Sequence, residues 1–426
     1  MPSSIHFLLA ATLSTNIIGL WDAYLLFRQR RAFNTKDIPA YFKETMTKEE
    51  FDAAQAYSRD SASYSLLVHL KDLVLGNAHL LLRIPARLYY CAARFTGLPV
   101  GSFAHNYASL VATDVIATAL EVPFSYYDSF YLEERHGFNK MTKMEFAKDI
   151  VKSFLLRITL YYPIHIALIQ FVVRRFGERF PIYLFGGMTA LVFAFTLIYP
   201  TFIQPLFNTF TPLDKETPLN KKIESLCAAV HFPLKKIYVM DGSCRSHHSN
   251  AYFYGIGRNK RIVLYDTLLE QMKGSDEPIL AVLCHEIGHW KHGHIFINIG
   301  ISLAHLFSSC YGAGAVLFNK RFYESFGFHN TDPVIGVSLF LLVFLEPISK
   351  VIGHICCYIS RKHEFQADRF AVSQGYGEPM KKALLIMTKE NKSSITPDPL
   401  YSTMTYTHPP MLERLEALDA EIKKQK

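Results

Sequence analysis

The long apolar runs of this 426-residue chain constrain its fold more than any other feature. They lie at residues 5–27, 64–95, 101–128, 153–173, 182–205, 295–319 and 333–358. Since a helix of about 20 apolar residues crosses a bilayer, these runs predict about seven transmembrane helices. Composition agrees: half of the residues are hydrophobic and only 19% are charged, against roughly 25% in an ordinary soluble domain.

Several ionisable residues interrupt these runs. Examples are Lys71 in the second run, Asp114 and Glu121 in the third, and Arg157 in the fourth. Charged side chains at membrane depth usually face a protein interior or a water-filled cavity. Two interpretations therefore stay open: some of these residues mark frayed helix ends, or together they line a hydrated chamber among the helices.

The net charge of +8 is modest and is not gathered into one basic stripe. We therefore expect no nucleic-acid partner, and no obligate protein partner is evident either; membrane lipid is the expected surrounding. Most Lys and Arg residues lie in four segments that we predict to be cytosolic: 28–62, 129–152, 206–292 and 361–426. The seven scattered cysteines do not suggest a disulfide framework or a cysteine-rich zinc module.

The pattern predicts a membrane α-helical protein with a cytosolic α+β domain. Within residues 206–294 we predict strands at 237–239, 250–254 and 261–265 from their β-branched and aromatic residues. The expected organisation is membrane helices one to five in 1–205, a small sheet and a metal-binding helix in 206–294, the last two membrane helices in 295–360, and a helical segment in 361–426 that completes the site.

The chemistry is indicated by the sequence HEIGH at residues 285–289. His285 and His289 are four residues apart in a segment with helical character, so both imidazoles lie on one face and can bind one ion. Glu286 lies beside them, where its carboxylate can take a proton from a metal-bound water. Together these residues predict a zinc site of the metallopeptidase type, with one Zn²⁺ per chain.

A catalytic zinc needs a third protein ligand, and the residues leave four candidates: His292, His294, Glu364 and Asp368. A ligand from a second element fixes three-fold geometry better than three residues along one helix. Glu364 and Asp368 are one turn apart just after the last predicted span. The first is suited to bind the metal, while the second can accept the free N–H of a ligating histidine.

Beyond the HEIGH motif, the chain resembles the type 1 CAAX prenyl proteases over nearly its whole length. The blocks that carry the resemblance include EERHGFNK at 133–140, IYPTFIQPLFN at 198–208, and the segments 249–253, 284–294, 361–371 and 406–410, followed by Glu413 and Arg414. One departure is His292, where the family often has an apolar residue.

The resemblance implies a seven-helix α-barrel around an intramembrane chamber, capped by the metallopeptidase domain. By resemblance, His285, His289 and Glu364 bind zinc, and Glu286 is the general base. His408 is implied to stabilise the oxyanion. The remaining implied site residues are the substrate-binding strand Asn250, Ala251 and Tyr252, with Asp368 and Arg414 as supports of the site.

The implied substrate is a prenylated CAAX protein or peptide, cut after the lipidated cysteine to release three residues; a second, upstream cut is left open. Lys423 and Lys424, near the end of the chain, resemble a dilysine signal and favour the endoplasmic reticulum membrane, with the nuclear membrane as a further location. Two alternatives stay open: a membrane quality-control metalloprotease for unprenylated proteins, and a non-catalytic prenyl-lipid binder.

Overall fold

The computed structural model describes residues 5–246, 248–255, 257–272 and 275–425, and helices dominate it. The first part holds α1 (Ile5–Ala32), α2 (Lys48–Leu81), α3 (Ile84–Thr96), α4 (Phe103–Tyr127), α5 (Lys143–Leu156), α6 (Tyr162–Phe176) and α7 (Phe180–Ile198). The middle part holds β1 (Phe210–Pro212), α8 (Pro218–Ala229), β2 (Leu234–Met240), β3 (Ala251–Tyr254), β4 (Lys260–Tyr265), α9 (Asp266–Gln271) and α10 (Glu277–Lys291). The last part holds α11 (His294–Leu317), α12 (Lys320–Ser325), α13 (Pro333–Phe340), α14 (Glu346–Ser373), α15 (Gly377–Glu390), α16 (Pro399–Thr405) and α17 (Met411–Gln425).

The membrane region contains fewer continuous spans than predicted. Five helical stretches of the described residues are long and apolar enough to cross a membrane, and a sixth is added if α2 and α3 count as one bent span. The predicted number of seven is therefore not confirmed. The stretch Lys143–Leu206 covers the two predicted spans 153–173 and 182–205, and within it α6 packs against α7.

The predicted span 64–95 is not one straight helix. Its two parts, α2 and α3, meet at 61°. Arg83 joins them with a φ of 53°, in the left-handed region, and a proline lies in the first turn of α3. A left-handed residue cannot continue a helix, and the proline two residues later lacks the N–H that a continuous helix needs, which explains the bend.

The ionisable residues of the membrane region form pairs between helices. The Arg157 side chain donates to the Asp114 carboxylate at 3.0 Å, and Lys71 Nζ lies 2.5 Å from Glu121 Oε1. Lys350 Nζ lies 2.6 Å from an oxygen of Asp22. These contacts favour the interpretation of a hydrated chamber among the helices over that of frayed helix ends.

The middle part folds as a four-stranded mixed sheet in the order β1-β2-β4-β3. Strands β2 and β4 are parallel, and the other two pairings are antiparallel. The predicted strands 237–239 and 261–265 lie within β2 and β4, and the predicted strand 250–254 begins one residue before β3. The short β1 has too few residues for its pattern to be recognised. Apolar residues of the sheet pack against α10, and β3 forms one edge beside that helix.

Helices α10 and α14 approach each other closely at Gly288. A β-carbon at this position would lie 3.0 Å from Ala367 Cα and 3.2 Å from Ala367 O. Both neighbours are backbone atoms, so they cannot rotate away as a flexible side chain would. The absence of a side chain at Gly288 therefore sets the spacing of the two helices.

Replacing Gly288 with alanine should push α10 and α14 apart and destabilise the protein by about 1–3 kcal/mol, the usual cost of overpacking. Thermal unfolding in detergent measures the effect. Gly353→Ala is the matched control, because Gly353 lies on α14 with no other group within 4 Å of an added β-carbon. Equal melting temperatures for the two variants would contradict the packing argument.

Candidate metal centre

Three side chains meet where α10 passes α14. His285 and His289 come from α10 and Glu364 from α14. The Nε2 atoms of the two histidines are 3.2 Å apart, and they lie 3.5 Å and 3.2 Å from the nearer oxygens of Glu364. In the part of the chain that the structure describes, this is the only group of three or more His, Cys, Asp or Glu residues whose ligand atoms converge so closely.

The geometry of this group fits a metal ion. Zinc bonds of about 2.0–2.2 Å in a tetrahedral arrangement hold neighbouring donors roughly 3.3–3.6 Å apart, close to the spacings found here. Glu364 Oε2 is buried without a well-formed hydrogen bond, although His408 Nδ1 lies 2.8 Å away. Two imidazoles and a carboxylate are also a preferred donor set for zinc.

The ring of His285 is held by a buried ion pair between α14 and α17. Its Nδ1 lies 2.8 Å from Asp368 Oδ1, so Nδ1–H donates to the carboxylate and Nε2 keeps its lone pair. Arg414 donates two hydrogen bonds to the same carboxylate, from Nε at 2.9 Å and from Nη2 at 2.7 Å. The predicted pairing of Asp368 with a histidine of the motif is thus present in the geometry.

The ring of His289 has a different support, which the sequence did not reveal. Its Nδ1 lies 2.9 Å from Nδ1 of His294, whose Nε2 lies 2.7 Å from Gln366 Oε1. Since the Gln366 oxygen can only accept, His294 Nε2 carries the proton and its Nδ1 accepts from His289. This series of hydrogen bonds leaves His289 Nε2 free to bind a metal.

Two of the four candidates for a third ligand lie elsewhere for reasons of helix geometry. His292 caps the end of α10, is exposed, and stacks its ring on that of His294 at 5.6 Å. His294 follows Gly293, whose φ of 68° breaks the helical register. This break takes His294 out of the helical face that carries His285 and His289, whereas His292 lies before the break and ends α10 with an exposed side chain.

Glu286 and His408 lie close to the three-residue group. The Glu286 carboxylate forms no hydrogen bond or ion pair with any described residue. Burial raises the pKa of Glu286, which makes its carboxylate a stronger base than an exposed one. His408 lies between α16 and α17 with its side chain 67% exposed, so it can reach a molecule bound beside Glu364.

Strand β3 supplies the other predicted residues. Ala251 is buried and pairs with Leu264, while Asn250 is exposed just before the strand. Tyr252 accepts a hydrogen bond at its hydroxyl from Gln204 Nε2 at 2.6 Å. The side of β3 that faces away from β4 has no partner strand among the described residues. An extended peptide can therefore add there, next to α10.

Both halves of the chain match known families. Residues 29–209 match the family described as CAAX prenyl protease N-terminal, five membrane helices, and residues 214–422 match peptidase family M48. The chain belongs to the type 1 CAAX prenyl protease family. It is therefore a multi-pass membrane protein and a metallopeptidase, and the family implies a bound metal.

Individual relatives of this family are similar over almost the full length. A CAAX prenyl protease 1 homolog of Oryza sativa is 38% identical over 96% of both chains. The homolog of Homo sapiens is 33% identical over 98% of this chain and 96% of its own. The crystal structure of S. mikatae Ste24p has a TM-score of 0.90 at 34% identity, covering 97% of this chain and 99% of that chain.

Replacing Arg414 with methionine should destabilise the protein by about 3–5 kcal/mol, because Asp368 would stay buried without its cation. Arg361→Met is the matched control: Arg361 also joins α14 to α17, through Glu413 at 2.7 Å, but that carboxylate is exposed. The control should cost less than about 1 kcal/mol. The two variants are compared by their melting temperatures in detergent. An equal loss of stability in both would contradict the argument that burial of Asp368 makes Arg414 important.

Proposed function

We propose that this protein is a zinc-dependent endopeptidase that removes the last three residues of prenylated CAAX proteins. The observation that carries the proposal is the convergence of His285, His289 and Glu364 beside the unpaired carboxylate of Glu286. Relatives similar over nearly the full length bear the name CAAX prenyl protease 1, which supports the substrate class.

The proposed roles follow from the positions of the side chains. His285, His289 and Glu364 would hold one zinc ion. When bound, zinc supplies a Lewis acid that makes water acidic near neutral pH. Glu286 accepts the proton of the attacking water at its carboxylate and passes it to the amine of the leaving peptide.

The remaining residues hold the substrate and the ligands. His408 donates a hydrogen bond to the carbonyl oxygen on which negative charge develops. Asn250, Ala251 and Tyr252 hold the substrate as an added strand, whose main-chain hydrogen bonds position the scissile peptide. Asp368 and Arg414 keep His285 in the orientation that presents Nε2.

The site is well placed for a lipid-anchored substrate. Glu364 lies on the same continuous helical stretch, Pro333–Ser373, that is apolar enough to span a membrane. An isoprenoid chain partitions into the bilayer, so its protein junction stays near the surface. We further propose the endoplasmic reticulum membrane as the location, with the site and α17 toward the cytosol, on the basis of the loop charges and of Lys423 and Lys424.

Glu286→Gln should retain one zinc per chain and lose cleavage of a farnesylated CAAX peptide by roughly 10²–10⁴-fold, because the general base is gone. His289→Ala should lose both zinc and activity. Glu277→Gln, on the first turn of the same helix, is the matched control. Metal analysis and product masses measure the outcome. Full proteolysis by Glu286→Gln would refute the mechanism.

A farnesylated peptide should be cleaved with a kcat/KM about tenfold or more above that of its unmodified twin, because apolar lipid surface is buried on binding. Comparing the two peptides in the same detergent measures this. Equal rates would favour the quality-control protease instead. Zinc-free protein that binds the lipid without cleaving either peptide would favour the non-catalytic binder.

A further inference from the structure

A cavity of about 590 Å³ opens beside the candidate metal centre. It lies between the first two helices and the segment that joins α15 to α17, and its lining includes Tyr57, His248, Lys392 and His408. Since His408 Nδ1 also lies 2.8 Å from Glu364 Oε2, the cavity adjoins the candidate centre. Its volume is that of an ordinary small-ligand pocket, large enough for a short peptide.

The side chains of His248 and Lys392 line this cavity, and they differ in their partners. The ring of His248 stacks on Phe138, and its Nε2 lies 3.7 Å from Glu133 Oε2. Lys392 Nζ donates to the backbone oxygen of His136 at 2.5 Å and lies 5.0 Å from the Phe138 ring. No carboxylate of the described residues forms an ion pair with Lys392. Its charge is therefore available to an anion in the cavity.

The position of Lys392 is fixed relative to the substrate strand. Its φ of 44° is a left-handed conformation that costs a lysine energy, and such strained residues often lie at functional sites. The adjacent Asn391 accepts at Oδ1 from the backbone N–H of Ser249 at 3.2 Å. Ser249 comes directly before Asn250, so this contact joins the turn of Lys392 to the start of β3.

Strand polarity decides which end of a substrate enters the cavity. Antiparallel pairing is somewhat more stable per residue than parallel pairing. A peptide paired in this way on the free edge of β3 runs from Tyr254 toward Asn250, and its carboxyl end then points to Lys392. Its amino-terminal side lies toward Tyr254, and in the middle of the strand Tyr252 contacts Gln204, in the segment that exposes Tyr199 and Phe202. That apolar end suits a prenylated cysteine, and the cationic end suits a terminal carboxylate.

We infer that Lys392 binds the C-terminal carboxylate of the substrate and so determines how far from the chain end the peptide is cut. This inference rests on the proposed function. Three extended residues span roughly 10 Å, so a fixed cation in the cavity sets the register of the scissile bond. The block at residues 133–140, which carried the family resemblance, thereby gains a role: His136 and Phe138 position this lysine.

The test compares a farnesylated CAAX peptide bearing a free C-terminal carboxylate with its C-terminal amide. The unaltered enzyme should prefer the acid by roughly 10- to 100-fold in kcat/KM, the range of a charge-assisted hydrogen bond. Lys392→Met should remove most of this preference by slowing cleavage of the acid alone, and Lys392→Arg should restore part of it. Lys389→Met, whose lysine pairs with Glu50 outside the cavity, should retain the full preference.

The amide peptide also serves as the folding control, because its rate should be the same in the unaltered enzyme and in Lys392→Met. Two results would contradict binding of the carboxylate by Lys392: equal cleavage of both peptides by the unaltered enzyme, or equal slowing of both by Lys392→Met. In either case only this inference fails. If the unaltered enzyme cleaves neither peptide, the proposed function itself fails and this inference with it.

Discussion

The contact between α10 and α14 is the constraint on which the rest of the site depends. Glu364 reaches His285 and His289 only because Gly288 lets the backbones of the two helices approach closely. Since α14 belongs to a stretch that is apolar enough to span a membrane, the same contact fixes the site at a set depth relative to the membrane region. A peptidase fold in solution has no comparable restriction.

Burial of charge explains why the site is tied to several elements at once. Glu286, Glu364 and Asp368 would carry three negative charges against the single positive charge of Arg414, if the histidines are neutral. Two unbalanced negative charges in a buried site are costly. A divalent ion bound by His285, His289 and Glu364 would cancel them. Arg414 then stabilises the part of the site that the metal does not touch.

Much of this arrangement could be predicted from the sequence, and the failures have physical causes. The helical spacing of HEIGH and the carboxylates at 364 and 368 follow local rules, and the structure brings Glu364 and Asp368 to the two histidines. The role of His294 behind His289 depends on the left-handed Gly293, which no periodicity shows. The bend at Arg83 and the position of Lys392 likewise depend on single backbone angles and tertiary contacts.

X-ray absorption at the zinc edge of the purified protein tests whether His285, His289 and Glu364 bind zinc. We expect one zinc per chain with nitrogen and oxygen ligands at about 2.0–2.2 Å, two of them imidazoles, and no sulfur ligand. The chain contains seven cysteines, so zinc binding by sulfur ligands is chemically possible. A sulfur shell near about 2.3 Å, or a protein that binds no zinc at all, would contradict the site formed by His285, His289 and Glu364.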